Sequence, residues 1–160
     1  MGKSSDFVEL KIPALPEYIA VVRLMISGIA SRMGFSYDDI EDIKIAVAEA
    51  CTNAVSHAYE TERGTIIVGC AIDQLKLEIT VIDHGKSFDY EKVKGLVGPI
   101  SPDTAIDQLK EGGLGLFLIQ TLMDEVEIFH DTGVIVLMRK YLRRDEVEGD
   151  VCSFATSPRR

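Results

Sequence analysis

The chain has 160 residues, 46% of them hydrophobic, which suits one domain with a proper core and leaves too little for two comfortable ones. Its net charge of −9, with basic residues gathered no further than pairs such as Arg143-Arg144, lacks the positive footprint of phosphate-backbone binding, so no direct nucleic-acid partner is expected. No run approaches the ~18 apolar residues of a membrane span, and Cys51, Cys70 and Cys152 form neither a disulfide framework nor a zinc motif, so the expectation is a cytoplasmic protein with no membrane partner.

Phe7-Val-Glu-Leu-Lys-Ile12 alternates apolar and polar residues up to Pro13, which predicts a half-buried edge strand. From Glu17 to Met33, Ile19, Val22, Ile26, Ile29 and Ala30 recur at helical spacing until Gly34 stops the pattern. Ser36-Tyr-Asp-Asp39 is a capping-box-like start for a second helix running to about Tyr59. Its core stripe is Ile40, Ile43, Val47, Ala50 and Ala54, and a neighbouring stripe holds Ile45, Glu49, Asn53 and His57.

Residues 65–72 and 76–82 read as adjacent strands joined at Asp73-Gln74 by a tight turn. From Gly85 to about Glu111 no strong periodicity appears, and a loop this long inside a domain is usually functional or disordered. Leu114 to Met123 reads as a short helix, and residues 125–129 and 133–138 as a closing hairpin around Asp131-Thr132-Gly133. The domain is expected to cover residues 1–142, with 143–160 a polar tail. The grouping of elements implies a two-layer α/β (α+β) sandwich, helices on one face of a mixed, mostly antiparallel sheet.

Three segments carry candidate chemistry. Glu49 and Asn53 lie one turn apart, where a carboxylate can act as general base and an amide oxygen can ligate Mg²⁺; the same spacing fits a polar stripe that faces solvent. Asp83 ends an apolar strand and can accept the exocyclic amine of adenine, with Gly85 permitting close ring approach; Asp and Gly are equally the default residues of a strand-end turn. Gly112-Gly-Leu-Gly-Leu116 opens a helix with consecutive amides suited to phosphate, or serves as a hinge. No second ligand stands at metal spacing from His57, which is assigned no catalytic role.

Taken in order, these segments resemble the GHKL (histidine-kinase-like) ATPase family over about residues 36 to 140. Within it the chain is similar to the small serine kinases that double as anti-sigma factors, the anti-sigma-B kinases above all. The residues that carry this are Pro16-Glu-Tyr18, Arg23-Leu24, Tyr37-Asp-Asp-Ile-Glu-Asp42, Lys44-Ile-Ala-Val47, Glu49-Ala-Cys-Thr-Asn-Ala54, Glu111-Gly-Gly-Leu-Gly-Leu116 and Leu122-Met-Asp-Glu125.

The resemblance implies a GHKL fold and an ATP- and Mg²⁺-dependent kinase. Such a protein sequesters a sigma-B-type sigma factor, phosphorylates a serine of an anti-anti-sigma protein and forms a homodimer. It implies roles for particular residues: Glu49 as catalytic base, Asn53 as Mg²⁺ ligand, Asp83 and Gly85 at adenine, Gly113, Leu114, Gly115 and Leu116 at the phosphates, Thr132 in the nucleotide pocket, and Arg23 toward protein partners. His84 stands where relatives frequently carry an acidic residue, and the tail carries no family motif. A nucleotide-regulated binding module without kinase activity, or a kinase of another partner-switching pathway, stays open as an alternative.

Overall fold

The computed structural model describes residues 5–58, 64–83, 113–130 and 133–143. In chain order these form β1 (Asp6–Pro13), a 3-10 turn (Pro16–Tyr18), α1 (Ile19–Met33), α2 (Tyr37–Ala58), β2 (Thr65–Ile72), β3 (Lys76–Asp83), α3 (Gly113–Leu122), β4 (Glu125–His130) and β5 (Val134–Tyr141).

The helix boundaries follow from local chemistry. Gly34 adopts φ 96°, the left-handed conformation that closes α1, and its N–H points back at the carbonyls of Ala30 and Ser31 while buried Phe35 caps the end with an apolar contact. Two residues on, the Ser36 hydroxyl accepts from the Asp39 N–H at 3.1 Å, which satisfies one orphan donor at the start of α2. Asp38 and Asp39 then place negative charge at the positive end of that helix. α2 buries Ile43, Val47, Ala50 and Ala54, as the periodicity predicts, and adds Ala46, Cys51 and Val55 to the core.

The strands lie in the order β1-β2-β3-β5-β4, and all four pairings are antiparallel. β1 stands at the edge, as its Pro-terminated pattern implies. Register follows the alternation of side chains. Leu10, Val68, Val81, Val136 and Ile128 form one row across the helix-facing side, and Val8, Cys70, Ile79, Met138 and Val126 form the next.

Except for the exposed Val8, these inward residues join Val22, Ile26, Ile43, Val47 and Ile119 from the three helices in a single apolar cluster. Each fully buried isoleucine in it contributes about 1.5–3 kcal/mol of transfer free energy. α2 is the central helix, packed against α1, α3, β2, β3 and β5. The architecture is the two-layer sandwich expected, with the helices on one face.

The opposite face carries Ile67, Ile82, Ile135 and Phe129 in one row and a charged group at the other end. There Arg139 donates to Glu78 at 2.7 Å, Glu125 at 3.1 Å and Glu127 at 3.3 Å. Burial alone would lower the Arg139 pKa, but the bonds and charges of Glu78, Glu125 and Glu127 outweigh it and hold the guanidinium charged. Phe7 also points to this side, 64% exposed, its ring lying over Gly69 on β2 so closely that a Cβ there would stand 3.0 Å from it. β5 continues through Tyr141, three residues past the end expected from the sequence, because Arg139 and Lys140 find partners on the two faces of the sheet.

Candidate functional site

α2 sets the site. Residues 49 and 53 are one turn apart, and because the core stripe of α2 is apolar, Glu49 and Asn53 fall at its margin, half-buried, on the side that faces α3. The intervening Thr52 and the nearby Ser56 turn their hydroxyls back to the carbonyls of Ala48 and Thr52, at 2.8 and 3.1 Å, and so belong to the helix itself. Cys51, between the two site residues, is fully buried in the core. Burial pushes its thiol up to about 12, and that of Cys70 likewise, so neither serves as a nucleophile.

α3 arrives from the other side. Its first turn, Gly113-Leu-Gly-Leu116, holds the four backbone N–H groups that have no partner within the helix, and no acidic side chain occupies that turn. Such an end is an anion site by construction. The third residue decides how near it can come: a Cβ on Gly115 would lie 2.9 Å from Glu49 Oε2, 3.5 Å from Asn53 Nδ2 and 3.6 Å from Asn53 Oδ1. Glycine at 115 lets the first turn of α3 sit directly on the carboxylate and the amide. Leu114 beside it is 80% exposed, and Leu116 is half-buried.

Asp83 lies at the end of β3 on the helix-facing side, in the row that includes Ile12, Ile66 and Val134, and is 8% exposed. A carboxylate so placed has the directionality to fix an adenine edge. Arg23 is exposed on α1 beside exposed Leu24 and Val21, away from the core stripe of that helix. Gly85 and Thr132 lie outside the described residues, as does the 85–111 segment.

The donor set at α2 fits a hard cation. An amide oxygen facing a helix end with unpartnered amides is a ligand that Mg²⁺ takes when substrate phosphates and water complete its shell. Among the described residues no group of three or more His, Cys, Asp and Glu gathers as a metal cage. The Asn53 amide oxygen therefore suits a cation shared with a phosphate ligand, with the Glu49 carboxylate beside it available as a base.

Sequence reasoning missed Lys140, which together with Asp83 is a buried polar group of the described residues. Strand alternation alone would have placed it inward, since it shares a face with Val136 and Met138.

Comparison with known proteins agrees with this geometry. A family model described as a histidine kinase-like ATPase domain matches residues 12–140. A serine-protein kinase RsbW of Bacillus licheniformis is 55% identical over 150 residues, covering 92% of this chain and 93% of that protein. The serine-protein kinase RsbW of Bacillus subtilis (strain 168) is 50% identical over 151 residues, covering 94% of each. Among solved structures, a crystal structure of the RsbU and RsbW domains of a Mycobacterium tuberculosis protein superposes with TM-score 0.61 at 22% identity, over 86% of this chain and 33% of that one, and so matches the fold.

Proposed function

Since the chain belongs to the histidine kinase-like ATPase domain family and, within it, to the RsbW serine-protein kinases, we propose that it phosphorylates a serine of an anti-anti-sigma protein and otherwise holds a sigma-B-type sigma factor inactive. The observation that carries the kinase reading is the close approach of Gly115 to Glu49 and Asn53, which brings a phosphate-binding helix end to a base and a cation ligand.

Each residue then has a task. The amides of Gly113, Leu114, Gly115 and Leu116 hold the ATP phosphates at the positive end of α3. Asp83 and Gly85 seat adenine, and Thr132 lines the nucleotide pocket. Asn53 ligates Mg²⁺, which supplies charge neutralisation at the phosphates when bound. The Glu49 carboxylate takes the proton from the substrate serine as its Oγ bonds to the γ-phosphorus and the bond to the bridging oxygen breaks, releasing ADP. Arg23, with Val21 and Leu24 exposed beside it on α1, forms part of the surface for protein partners. The working protein is a cytoplasmic homodimer; no helix among the described residues is long and apolar enough to cross a membrane.

The test is a phosphotransfer assay with ATP, Mg²⁺ and a candidate anti-anti-sigma protein, followed by intact mass. The wild type should add one phosphate to the partner, and Glu49→Gln should lower the rate by about 10²–10⁴-fold, the usual share of a general base, while still binding the sigma factor. Undiminished phosphorylation by Glu49→Gln removes the assigned base. A chain that binds ATP and sigma factor but phosphorylates no partner is instead a nucleotide-regulated binding module.

A further inference from the structure

We infer that Lys140 is a positioning residue for the nucleotide: by holding the last turn of α3, it sets where the first turn of that helix stands against Glu49 and Asn53. The inference rests on the reading of α3 as the phosphate-binding helix.

Lys140 lies on β5 with its side chain turned into the helix layer and only 9% exposed. Its Nζ donates to the carbonyl oxygen of Leu122, the last residue of α3, at 2.7 Å. It also stands 3.7 Å from Asp39 Oδ1 and 4.0 Å from Asp42 Oδ2, near the start of α2. One ammonium thus joins an inner strand of the sheet, the C-terminus of α3 and the N-terminal part of α2. A carbonyl in the last helical turn has no partner within the helix and carries the negative end of its dipole, so a buried cation is the group that satisfies it best.

α3 needs such a hold. It has 10 residues, too few to be stable alone. Within it Ile119 is fully buried, whereas Leu114, Phe117, Gln120 and Thr121 are exposed. Ile119 fixes its centre, and Leu122 and Met123 add apolar contacts at the C-terminal end, so the first turn, with no fully buried side chain among residues 114–116, stands where the far end of the helix holds it. The chain just beyond the helix is tied to β5, by the Asp124 N–H to the Arg139 carbonyl at 3.0 Å and the Tyr141 N–H to the Asp124 carboxylate at 2.7 Å. Lys140 ties the helix's own last turn. Leu122 lies seven residues from Gly115, about 10 Å along the axis, so a small tilt at the clamped end is carried to the turn that rests on Glu49. That turn stands close to the carboxylate, a Cβ position on Gly115 lying 2.9 Å from Glu49 Oε2.

Lys140→Met keeps the length and apolar stem and removes the ammonium. Measured well below the melting temperature, its KM for ATP and Kd for ADP should rise about tenfold, the scale of one lost charge-assisted hydrogen bond. KM for the protein substrate and binding of the sigma factor should stay within about twofold of wild type. Lys140→Arg, which keeps a charged donor, should recover most of the nucleotide affinity, and Asp42→Asn, which leaves the bond to Leu122, should bind nucleotide like wild type.

A lysine that only stabilises the fold would lower the melting temperature of Lys140→Met and leave KM for ATP unchanged; that result overturns the inference. Should Lys140→Met not fold, Lys140→Gln is read in the same way. Wild type that binds no nucleotide overturns the kinase reading and this inference together, whereas tight binding by both wild type and Lys140→Met overturns this inference alone.

Discussion

The two ends of the α2–α3 pair are built from opposite materials. At one end Ser36, Asp39, Asp42, Lys140 and the Leu122 carbonyl fill the space with charge and hydrogen bonds, each close to a partner. At the other, Gly115 brings bare backbone against Glu49 and Asn53, and the first-turn amides of α3 have no partner within the helix. The first end is dense with close pairs, the second is bare backbone. Lys140 links the two by holding the far end of α3, so a substitution at the first end that spares its bond to Leu122 should change stability and not nucleotide affinity.

Gly115→Ala should give the largest effect and the clearest separation. The new Cβ displaces the Glu49 carboxylate, which can swing aside, so folding should be spared, and alanine in a helix favours stability by up to about 1 kcal/mol over glycine. Phosphotransfer should nevertheless fall about hundredfold or more, as expected when a reacting group is misplaced by about an ångström. Activity measured beside thermal melting checks this, and loss of both together would mean that the glycine end also serves stability.

Alkaline pH tests the core beneath both ends, where Cys51 of α2 and Cys70 of β2 are buried. Cys51 and Cys70 ionise near 9.0 when unfolded and near 12 when folded, so the folded state keeps its protons while the unfolded state loses them. Their stabilising contribution is complete below pH 9 and declines as pH rises from there toward 12, by up to about 1.4 kcal/mol per pH unit for each thiol. Urea midpoints measured at pH 8, 9, 10 and 11, values chosen to bracket the window, should fall more steeply for wild type than for a Cys51→Ala, Cys70→Ala double variant. Parallel curves would show that the thiols do not govern the alkaline limb.

Ser36→Ala should have the smallest effect. Losing the cap on α2 should cost about 1 kcal/mol of stability and leave nucleotide affinity unchanged. A loss of phosphotransfer as large as that of Gly115→Ala would show that this cap, too, sets the geometry at the glycine end.

What could be read without the structure follows the same division. The helices were legible because their apolar stripes repeat locally, as from Ile40 to Ala54, and their ends carry Ser36 and Gly34. The pairing of β2 with β3 was legible because the turn at Asp73-Gln74 is short. Glu49, Asn53 and the glycine run were recognisable as types and in order. Their mutual approach was not, because Gly115 is 66 residues from Glu49 and nothing local announces the meeting. Arg139 and Lys140 fell beyond the strand end expected at residue 138, because Glu78, Asp39 and Asp42, which hold them, are distant in the chain. Residue spacing reveals which chemistry is present; only the fold shows which groups share it.

The strand order has a consequence for how the molecule comes into being. β5, last in sequence among the strands, lies between β3 and β4 rather than at an edge. During synthesis α1 and α2 can associate by local contacts, but the sheet stays split until residues 134–141 emerge, and such non-local closure is the slow part of folding. A polypeptide cut short before Val134 would have β3 and β4 each missing a neighbour and no lysine to anchor α3. A nascent or truncated copy would therefore lack a contact that holds α3 in place, and the meeting of Gly115 with Glu49 and Asn53 would mark chains whose translation has run through the final strand.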